Sequence, residues 1–280
     1  MSETLMGVIA VDDGGSSTCI VKKDGLMEKF PSVKGYYGKE RNLTNTQGKY
    51  DFIVEYKGDC YAAGSLAKYD CALPLQMNTK SKQHLFYDLS VLIAVHQYGY
   101  SDNHLVVSVP IRMHNPEEKN GRIERLKGKH TIKVNGYTKT FTISDVRIAP
   151  ETASAYWINE PKGKSRWLDI GSRTCGYATT INEDGINRYI DTESGTFWGK
   201  GLEALDNQYD PKGLADFICG NLIKSWDKDD NVYLLGGGAL DSALVDQIKT
   251  YFPNAQVMDN PQMSNALGMY QLGKIAYQMA

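Results

Sequence analysis

Residues 9–17 read Ile9-Ala10-Val11-Asp12-Asp13-Gly14-Gly15-Ser16-Ser17, an apolar run that ends in two aspartates and a glycine-rich turn. A short apolar run bounded by turn residues is typical of a buried strand, which we place at residues 8–11. Residues 18–23 predict a second strand, Asp24-Gly25 a tight hairpin and residues 26–30 a third strand. This stretch therefore predicts a three-stranded antiparallel meander.

The same arrangement recurs later in the chain. Residues 167–170 predict a buried strand, Gly171-Ser172-Arg173 a turn, residues 175–181 a second strand, Asp184-Gly185 a hairpin and residues 186–190 a third strand. An Asp-x-Gly sequence follows the first strand of each copy, and Asp12 and Asp169 are 157 residues apart. We interpret this as an internal duplication that produces two related lobes; chance similarity of two glycine-rich turns is the alternative.

The rest of the chain alternates helix and strand signals. Helices are predicted at residues 85–98 (amphipathic), 115–126, 150–157, 200–208, 211–226 with Asp210 as N-cap, 241–251 and from 261 onward. Strands are predicted at residues 52–56, 60–63, 105–109, 131–134, 138–143, 146–148 and 232–235. The mixture indicates an α/β protein.

The composition is balanced, with 31 basic and 33 acidic residues and a net charge of -2. Such a chain has no general electrostatic attraction to DNA or anionic lipid, so a link to nucleic acid requires a local basic patch or an adaptor protein. The 5 cysteines are odd in number and lack the CxxC spacing of a zinc site, which favours reduced thiols. We expect a cytoplasmic protein that contacts neither nucleic acid nor membrane directly.

Each Asp-x-Gly turn is suited to binding phosphate. A tight turn between two strands points several backbone N–H groups into one concavity, and glycine lets the backbone approach a ligand closely. Asp12 and Asp169 follow equivalent strands, and we expect them to face one another across a cleft and hold a hydrated Mg²⁺. Side-chain hydroxyl groups add possible donors at Ser16, Ser17, Ser172 and Thr174.

Two further positions have a structural and a functional interpretation. Gly236-Gly237-Gly238 follows a predicted buried strand, so it is either a plain strand-to-helix loop or a place where a ligand lies flat on the backbone. Glu151 follows Pro150 at a predicted helix start. Its carboxylate either stabilises the helix dipole, by about 0.3–1 kcal/mol, or orients water for attack on a γ-phosphate.

Taken in order, these motifs resemble those of the actin, Hsp70 chaperone and sugar kinase superfamily. The first phosphate motif, the second phosphate motif and the adenosine motif are matched by IAVDDG at 9–14, LDIGSRT at 168–174 and LLGGGA at 234–239. Three interior stretches are similar to the ParM-like plasmid-segregation actins: YAAGSLA at 61–67, VVSVP at 106–110 and IAPE at 148–151. The resemblance covers nearly the whole chain.

The resemblance implies a role for each matching residue. Asp12 and Asp169 would hold Mg²⁺ through water, and Glu151 would polarise the attacking water. Contacts with the β- and γ-phosphates are implied for Gly14, Gly15, Ser16, Ser17, Gly171, Ser172, Arg173 and Thr174. Contacts with the adenosine are implied for Gly236, Gly237 and Gly238, while Lys200 and Glu203 are placed beside the base from their position alone.

The chain departs from the family pattern at Cys19, where the family often has a lysine, and at Gly176, where the second motif often ends in an aspartate. Only about 55 residues separate the second meander from Gly236, too few for the extra small subdomain of ParM-like proteins. This shortness is similar to the AlfA-like plasmid actins. The resemblance implies an actin-like fold with two related α/β lobes around a nucleotide cleft, the second lobe being reduced.

We place the first lobe at residues 1–165, with the final helix at 261–280 packing back on it, and the second lobe at residues 166–260. The function implied is a bacterial, filament-forming ATPase that hydrolyses Mg-ATP slowly, with GTP as the alternative nucleotide. The filament would move plasmid DNA through a DNA-binding adaptor. A small-molecule kinase on the same fold, acting on a sugar or acetate, remains the rival, and a nucleotide-binding structural protein is a third possibility.

Overall fold

The computed structural model describes residues 6–38, 48–77 and 79–279, and these form two compact units. The first unit takes the described residues within Met1–Ser108, Asn115–Ile148 and Gly273–Ala280; the second takes Val109–His114 and Ala149–Leu272. These bounds differ from those predicted for the lobes, since residues 149–165 and 261–272 lie in the second unit.

The first unit is built on a nine-stranded sheet. Its strands are β1 (Met6–Asp13), β2 (Ser17–Lys22), β3 (Met27–Pro31), β4 (Lys34–Tyr36), β5 (Asp51–Tyr56), β6 (Asp59–Gly64), β7 (Asp102–Val109), β8 (Gly128–Val134) and β9 (Tyr137–Pro150). They lie in the order β3-β2-β1-β7-β9-β8-β5-β6-β4. The predicted meander is confirmed as β1, β2 and β3, which pair antiparallel, while β1 and β7 run parallel.

The sheet of the second unit repeats this order. Its strands are β10 (Gly163–Ile170), β11 (Thr174–Glu183), β12 (Ile186–Tyr189), β13 (Gly195–Trp198), β14 (Asn231–Leu235) and β15 (Gln256–Val257). The order is β12-β11-β10-β14-β15, with β13 beside β11, and β10 runs antiparallel to β11 and parallel to β14. The order therefore matches β3-β2-β1-β7-β9 strand for strand, as the predicted duplication requires.

Seven helices lie among the described residues. They are α1 (Ser65–Asp70), α2 (Leu85–Tyr98), α3 (Pro116–Leu126), α4 (Leu202–Leu205), α5 (Pro211–Leu222), α6 (Ser242–Tyr251) and α7 (Ser264–Ala276). The predicted N-cap is confirmed, because the Asp210 carboxylate accepts hydrogen bonds from the first amides of α5. None of the described helices combines the length and the apolar character needed to cross a bilayer.

Two helix predictions were wrong: the amphipathic character of the helix at 85–98 and the helix at 150–157. The helix α2 has the predicted bounds but is not amphipathic, since every residue from 86 to 96 is buried, as expected of a helix inside the core. Residues 150–157 do not begin a helix at Pro150. That proline ends β9, and a short 3-10 helix begins only at Ala153–Ile158. Glu151 therefore lies in the turn between them rather than at a helix terminus.

Both cores consist of apolar side chains from the sheets and from the helices packed on them. In the first unit α2 packs against β1, β2 and β8. In the second unit α5 and α6 cover one face of the sheet, while Trp167 stacks on Tyr233 at 4.6 Å on the other face. Because β1 and β10 are buried on both faces, only residues at or near their ends reach solvent, Asp12 and Asp169 among them.

Candidate functional site

The first turn follows β1 and is shaped by Gly14. A Cβ on Gly14 would lie 2.9 Å from the carbonyl oxygen of Ser17, so only glycine fits this tight turn. Gly14, Gly15, Ser16 and Ser17 are all partly exposed, which leaves the turn open to a ligand. The sequence-predicted residues of this turn therefore lie together at the end of one strand.

Asp12 is half-buried beside this turn. Its Oδ1 accepts a hydrogen bond of 2.7 Å from the Oγ of Ser108, which lies on β7, the parallel neighbour of β1. Ser108 in turn accepts a bond of 3.1 Å from the Nζ of Lys82. One carboxylate oxygen of Asp12 is thus oriented by a buried hydroxyl group.

Asp13 belongs to the core. It is 0% exposed, and its two oxygens meet Arg122 at 2.6 Å and Lys82 at 3.0 Å. Arg122 also contacts Asp88, whose pKa is raised by burial against the opposing effect of Arg125. The adjacent aspartates therefore have different environments, and Asp12 is the one suited to a metal.

Lys34 adds a buried cation to the same region. Burial lowers the pKa of its ammonium group to about 7, and the nearby Asp13 only partly opposes this. Its Nζ donates to the carbonyl oxygen of Ser32 at 2.8 Å. Ser32 donates its own backbone N–H to the Ser16 carbonyl oxygen at 2.8 Å. Ser32 therefore connects the first turn to the buried Lys34 through two hydrogen bonds.

The second turn repeats the first. A Cβ on Gly171 would lie 3.2 Å from the carbonyl oxygen of Thr174, the same arrangement as Gly14 over Ser17. The carbonyl oxygens of Gly171 and Ser172 accept bonds of 3.0 Å and 2.9 Å from the amides of Leu202 and Glu203 at the start of α4. The turn is therefore fixed from the side of its carbonyl groups.

Three residues surround the carboxylate of Asp169. A Cβ on Gly236, whose φ is +83°, would overlap Asp169 Oδ1. A Cβ on Gly176, which pairs with Asp169 across β10 and β11, would lie 3.7 Å from the Asp169 Cβ. The Nδ2 of Asn265 donates to Asp169 Oδ2 at 2.7 Å. Gly236 thus leaves room for the carboxylate, Gly176 lies in ordinary contact with its Cβ, and one amide orients it.

The two departures from the family pattern occupy equivalent positions. Cys19 pairs with Asp12 on β1, as Gly176 pairs with Asp169 on β10. Cys19 is buried, and Gly176 leaves room for the Thr152 hydroxyl group, with which a Cβ at position 176 would overlap. The absence of a side chain at 176 therefore has a steric reason in this structure.

Glu151 is held in an unusual backbone turn. The next residue, Thr152, has φ +66° and ψ -60°, and the N–H of Ala153 donates to the Glu151 carbonyl oxygen at 2.7 Å. This is a γ-turn of the rare, strained form. The N–H of Glu151 donates to Val109 at 2.9 Å, and that of Thr152 donates to Asn265 Oδ1 at 2.8 Å. Hydrogen bonds on both sides therefore fix the turn.

The residues predicted to contact the adenosine differ in how closely they are packed. Gly238 packs so closely on Ile170 that a Cβ would overlap it, whereas Gly237 has ordinary space around it. The Nζ of Lys200 lies 4.8 Å above the ring of Phe217, and the Glu203 side chain is exposed. Lys200 therefore contacts an aromatic ring and the Glu203 side chain faces solvent, and their predicted place beside a base stays a prediction.

Three residues that orient the site were not singled out from the sequence. Ser108 lies inside the VVSVP stretch, and a polar residue ending a buried parallel strand was an available signal. Lys82 lies in the segment before α2 and Asn265 in the first turn of α7. Nothing local distinguishes these two, because their partners are distant in sequence.

The carboxylates of Asp12 and Asp169 suit a hydrated Mg²⁺ that binds together with a nucleotide better than a metal ion held by protein side chains alone. Among the residues that the structure describes, no three His, Cys, Asp or Glu side chains are grouped to hold a metal ion. Mg²⁺ keeps several waters and is usually bound by one or two carboxylates together with substrate phosphates. Partly exposed Asp12 and Asp169, each beside an open glycine turn, fit that requirement.

Comparison with known proteins finds one matching family model. The family model of the N-terminal domain of actin-like proteins matches residues 10–153, just over half of the 280-residue chain. No curated protein sequence matches the chain.

Several solved structures have the same fold. A non-polymerisable quadruple mutant of the pCBH ParM protein superposes with a TM-score of 0.79 at 19% identity, over 97% of this chain and 100% of that one. AlfA from B. subtilis plasmid pLS32, in a filament, gives 0.75 at 18% identity over 94% and 97%. An AlfA filament bound to AMPPNP gives 0.72 at 19% identity over 98% and 97%. At such identities the likeness shows the fold.

Proposed function

Because this chain belongs to the actin-like protein family, we propose that it is a nucleotide-dependent, filament-forming ATPase. The observation that carries the proposal is the pair of equivalent turns. Each follows a buried strand, each has an aspartate whose carboxylate accepts a side-chain hydrogen bond, and in each a Cβ on the first glycine would crowd the carbonyl oxygen three residues later. Two such turns in a duplicated frame suit the phosphates of one nucleotide better than two plain strand connections do.

The proposed chemistry needs little from the protein beyond position and charge. Backbone N–H groups of both turns and the hydroxyl groups of Ser16, Ser17, Ser172 and Thr174 would bind the β- and γ-phosphates. Asp12 and Asp169 would bind the waters of Mg²⁺, which neutralises charge as the phosphoryl group leaves. Glu151 would orient the attacking water, and Gly236, Gly237 and Gly238 would lie against the adenosine. Arg173 is assigned to the phosphates, and Lys200 and Glu203 to the base.

The nucleotide in the proposal is ATP, with GTP as the alternative. In support of ATP, the AlfA filament of the same fold is described as bound to AMPPNP, an ATP analogue. Hydrolysis would be slow and would limit the lifetime of the polymer. Assembly would join copies head to tail, because contacts between different faces of identical subunits produce open helical filaments when the rotation between subunits does not close into a ring.

The proposed role of the filament is to segregate plasmid DNA in the bacterial cytoplasm. One structural relative is a filament protein from a plasmid. The net charge of -2 gives no general attraction to DNA, so a separate DNA-binding adaptor would connect the filament to the plasmid.

Light scattering across a protein concentration series tests assembly directly. We expect a sharp rise above a critical concentration on adding Mg-ATP. A flat signal at concentrations where nucleotide binding is confirmed would contradict the proposal and favour a small-molecule kinase, which is then tested by screening phosphate acceptors.

Glu151→Ala tests the catalytic assignment separately. We expect phosphate release to slow by about 10²-fold or more, the usual effect of losing a general-base type group, while assembly with Mg-ATP continues. Phosphate release at the wild-type rate in assembled Glu151→Ala filaments would refute this role of Glu151.

A further inference from the structure

Asn265 uses both ends of its side-chain amide inside the second unit. Its Nδ2 donates to Asp169 Oδ2 at 2.7 Å, and its Oδ1 accepts the N–H of Thr152 at 2.8 Å. A carboxylate only accepts and a backbone N–H only donates, so these partners determine the orientation of the amide. Asn265 is 8% exposed, so little water competes for either bond.

The turn whose Thr152 N–H donates one of these bonds is strained. Thr152 is a β-branched residue with φ +66°, a conformation that such residues avoid. Strain of this kind, about 1–3 kcal/mol, persists only where the surroundings hold the residue in place. Thr152 is 1% exposed, and its hydroxyl oxygen is buried without a hydrogen-bond partner, so its own side chain supplies no polar bond to offset the strain. The bond from Asn265 therefore acts on the strained residue itself.

The close approach of α7 to this turn depends on Gly268. Residues Asn265 and Gly268 are three apart and share one face of the helix. A Cβ on Gly268 would overlap the carbonyl oxygen of Ser154, two residues after Thr152. Only glycine lets the helix come near enough for the Asn265 amide to reach both partners.

We propose that Asn265 is a positioning residue that ties the carboxylate of Asp169 to the turn carrying Glu151. The metal-binding end and the water-orienting end of the site are then set by one side chain. This inference rests on the proposed ATPase function and adds to it a residue that acts through Asp169 and through the turn of Glu151. Loss of the tie removes the hydrogen bond that orients Asp169 Oδ2, which weakens Mg²⁺-dependent binding, and removes a bond that holds the strained turn, which misplaces Glu151.

The two bonds of Asn265 are separated by two substitutions. Asn265→Ala removes both bonds. Asn265→Asp keeps an oxygen that accepts from Thr152 but replaces the donor to Asp169 with a second carboxylate oxygen. The matched control is Asn254→Ala, which removes a hydrogen bond of 2.9 Å from the side-chain Nδ2 to the backbone carbonyl oxygen of Asp229, elsewhere in the second unit.

The measurements are the dissociation constant of ADP with Mg²⁺ and with EDTA, and hydrogen exchange of a peptide covering residues 150–158. We expect both Asn265 variants to lose the Mg²⁺-dependent part of ADP affinity by about tenfold or more, as residues that orient metal ligands usually do. Binding in EDTA stays unchanged. Exchange in the peptide speeds up in Asn265→Ala but stays slow in Asn265→Asp.

Wild-type Mg²⁺ dependence in either Asn265 variant, or unchanged exchange in Asn265→Ala, overturns the proposal. If Asn265→Ala does not fold, Asn265→Asp still decides the effect on Mg²⁺. A wild-type chain that binds no nucleotide at all refutes the proposed function instead, and the exchange measurement alone then decides whether Asn265 holds the turn.

Discussion

Substitution of Gly176 by alanine is the sharpest test of the packing around Asp169. The added Cβ would lie closer than 3.0 Å to the Thr152 hydroxyl oxygen, and Thr152 is 1% exposed, so its side chain has no open space to move into. Overpacking of this kind costs about 1–3 kcal/mol. The lower backbone entropy of alanine in the unfolded chain returns about 0.4–1 kcal/mol. We therefore expect a net loss of about 1–2 kcal/mol in the free energy of unfolding.

Thr152→Ala removes the obstacle and converts this expectation into a double-mutant cycle. Alone, it deletes a buried hydroxyl group without a partner, which favours stability by about 1–3 kcal/mol, and a methyl group, which costs about 0.8 kcal/mol. In this background the nearest atom to the new Cβ is the Cβ of residue 152 at 3.3 Å, a contact relieved by a shift of a few tenths of an ångström. Gly176→Ala should then be nearly neutral, giving a coupling energy of about 1–2 kcal/mol.

The assay is urea unfolding followed by tryptophan fluorescence. All 4 tryptophans lie at positions 157, 167, 198 and 226 in the second unit, so their emission reports on the unit that contains both substitutions. The control is Gly220→Ala in α5, where nothing lies within 4 Å of the new Cβ and helix propensity predicts a gain of about 0.5–1 kcal/mol. The same loss from Gly176→Ala with threonine or alanine at 152 would refute the steric argument.

The first unit offers two further predictions, both followed by circular dichroism because it contains no tryptophan. Asp13→Ala should lower the free energy of unfolding by about 3–5 kcal/mol, since it leaves Arg122 and Lys82 buried without their carboxylate. Asp12→Ala should lower it by about 1 kcal/mol yet abolish Mg²⁺-dependent nucleotide binding. Equal stability losses in the two variants would contradict the assignment of Asp13 to the core and of Asp12 to the metal. For Lys34 the folded pKa of about 7 lies below the ordinary value of 10.5, so the unfolded chain binds more protons between these values and stability rises with pH across that window. Lys34→Met should remove that slope, so its stability relative to wild type is greatest below pH 7, and parallel pH profiles would show that Lys34 stays charged.

Local signals were sufficient for the strands, turns and most helices. Both meanders, the strands predicted at 52–56 and 60–63 and the start of α5 at Asp210 follow from apolar runs and turn or cap residues that act within a few positions. The duplication followed from the same signals, since Asp12 and Asp169 end strands of the same order in the two sheets. The bounds of helix α2 were predicted correctly. Its burial on all sides depends on the sheet and the other elements around it, and the spacing of apolar residues within the helix does not show this.

Glu151 shows where local inference failed. A proline followed by a glutamate is a common helix start, yet here the long strand β9 extends to Pro150 and Thr152 adopts a positive φ. One of the hydrogen bonds that hold this turn joins the N–H of Thr152 to the side chain of Asn265, 113 positions along the chain. Propensity was overridden by tertiary hydrogen bonds, because a strained turn is stable only when distant partners hold it.

By itself, the sequence determined that this chain folds as a duplicated α/β protein with two Asp-x-Gly turns, because strand periodicity and glycine turns are properties of adjacent residues. Only the tertiary structure decided that Asp13 is an ion-paired core residue while Asp12 remains half-exposed, and that Asn265 orients Asp169. Arg122 is 109 positions from Asp13 and Asn265 is 96 positions from Asp169. Such pairings depend on which side chains the fold brings within hydrogen-bond distance, and at these separations the order of residues carries no local trace of them.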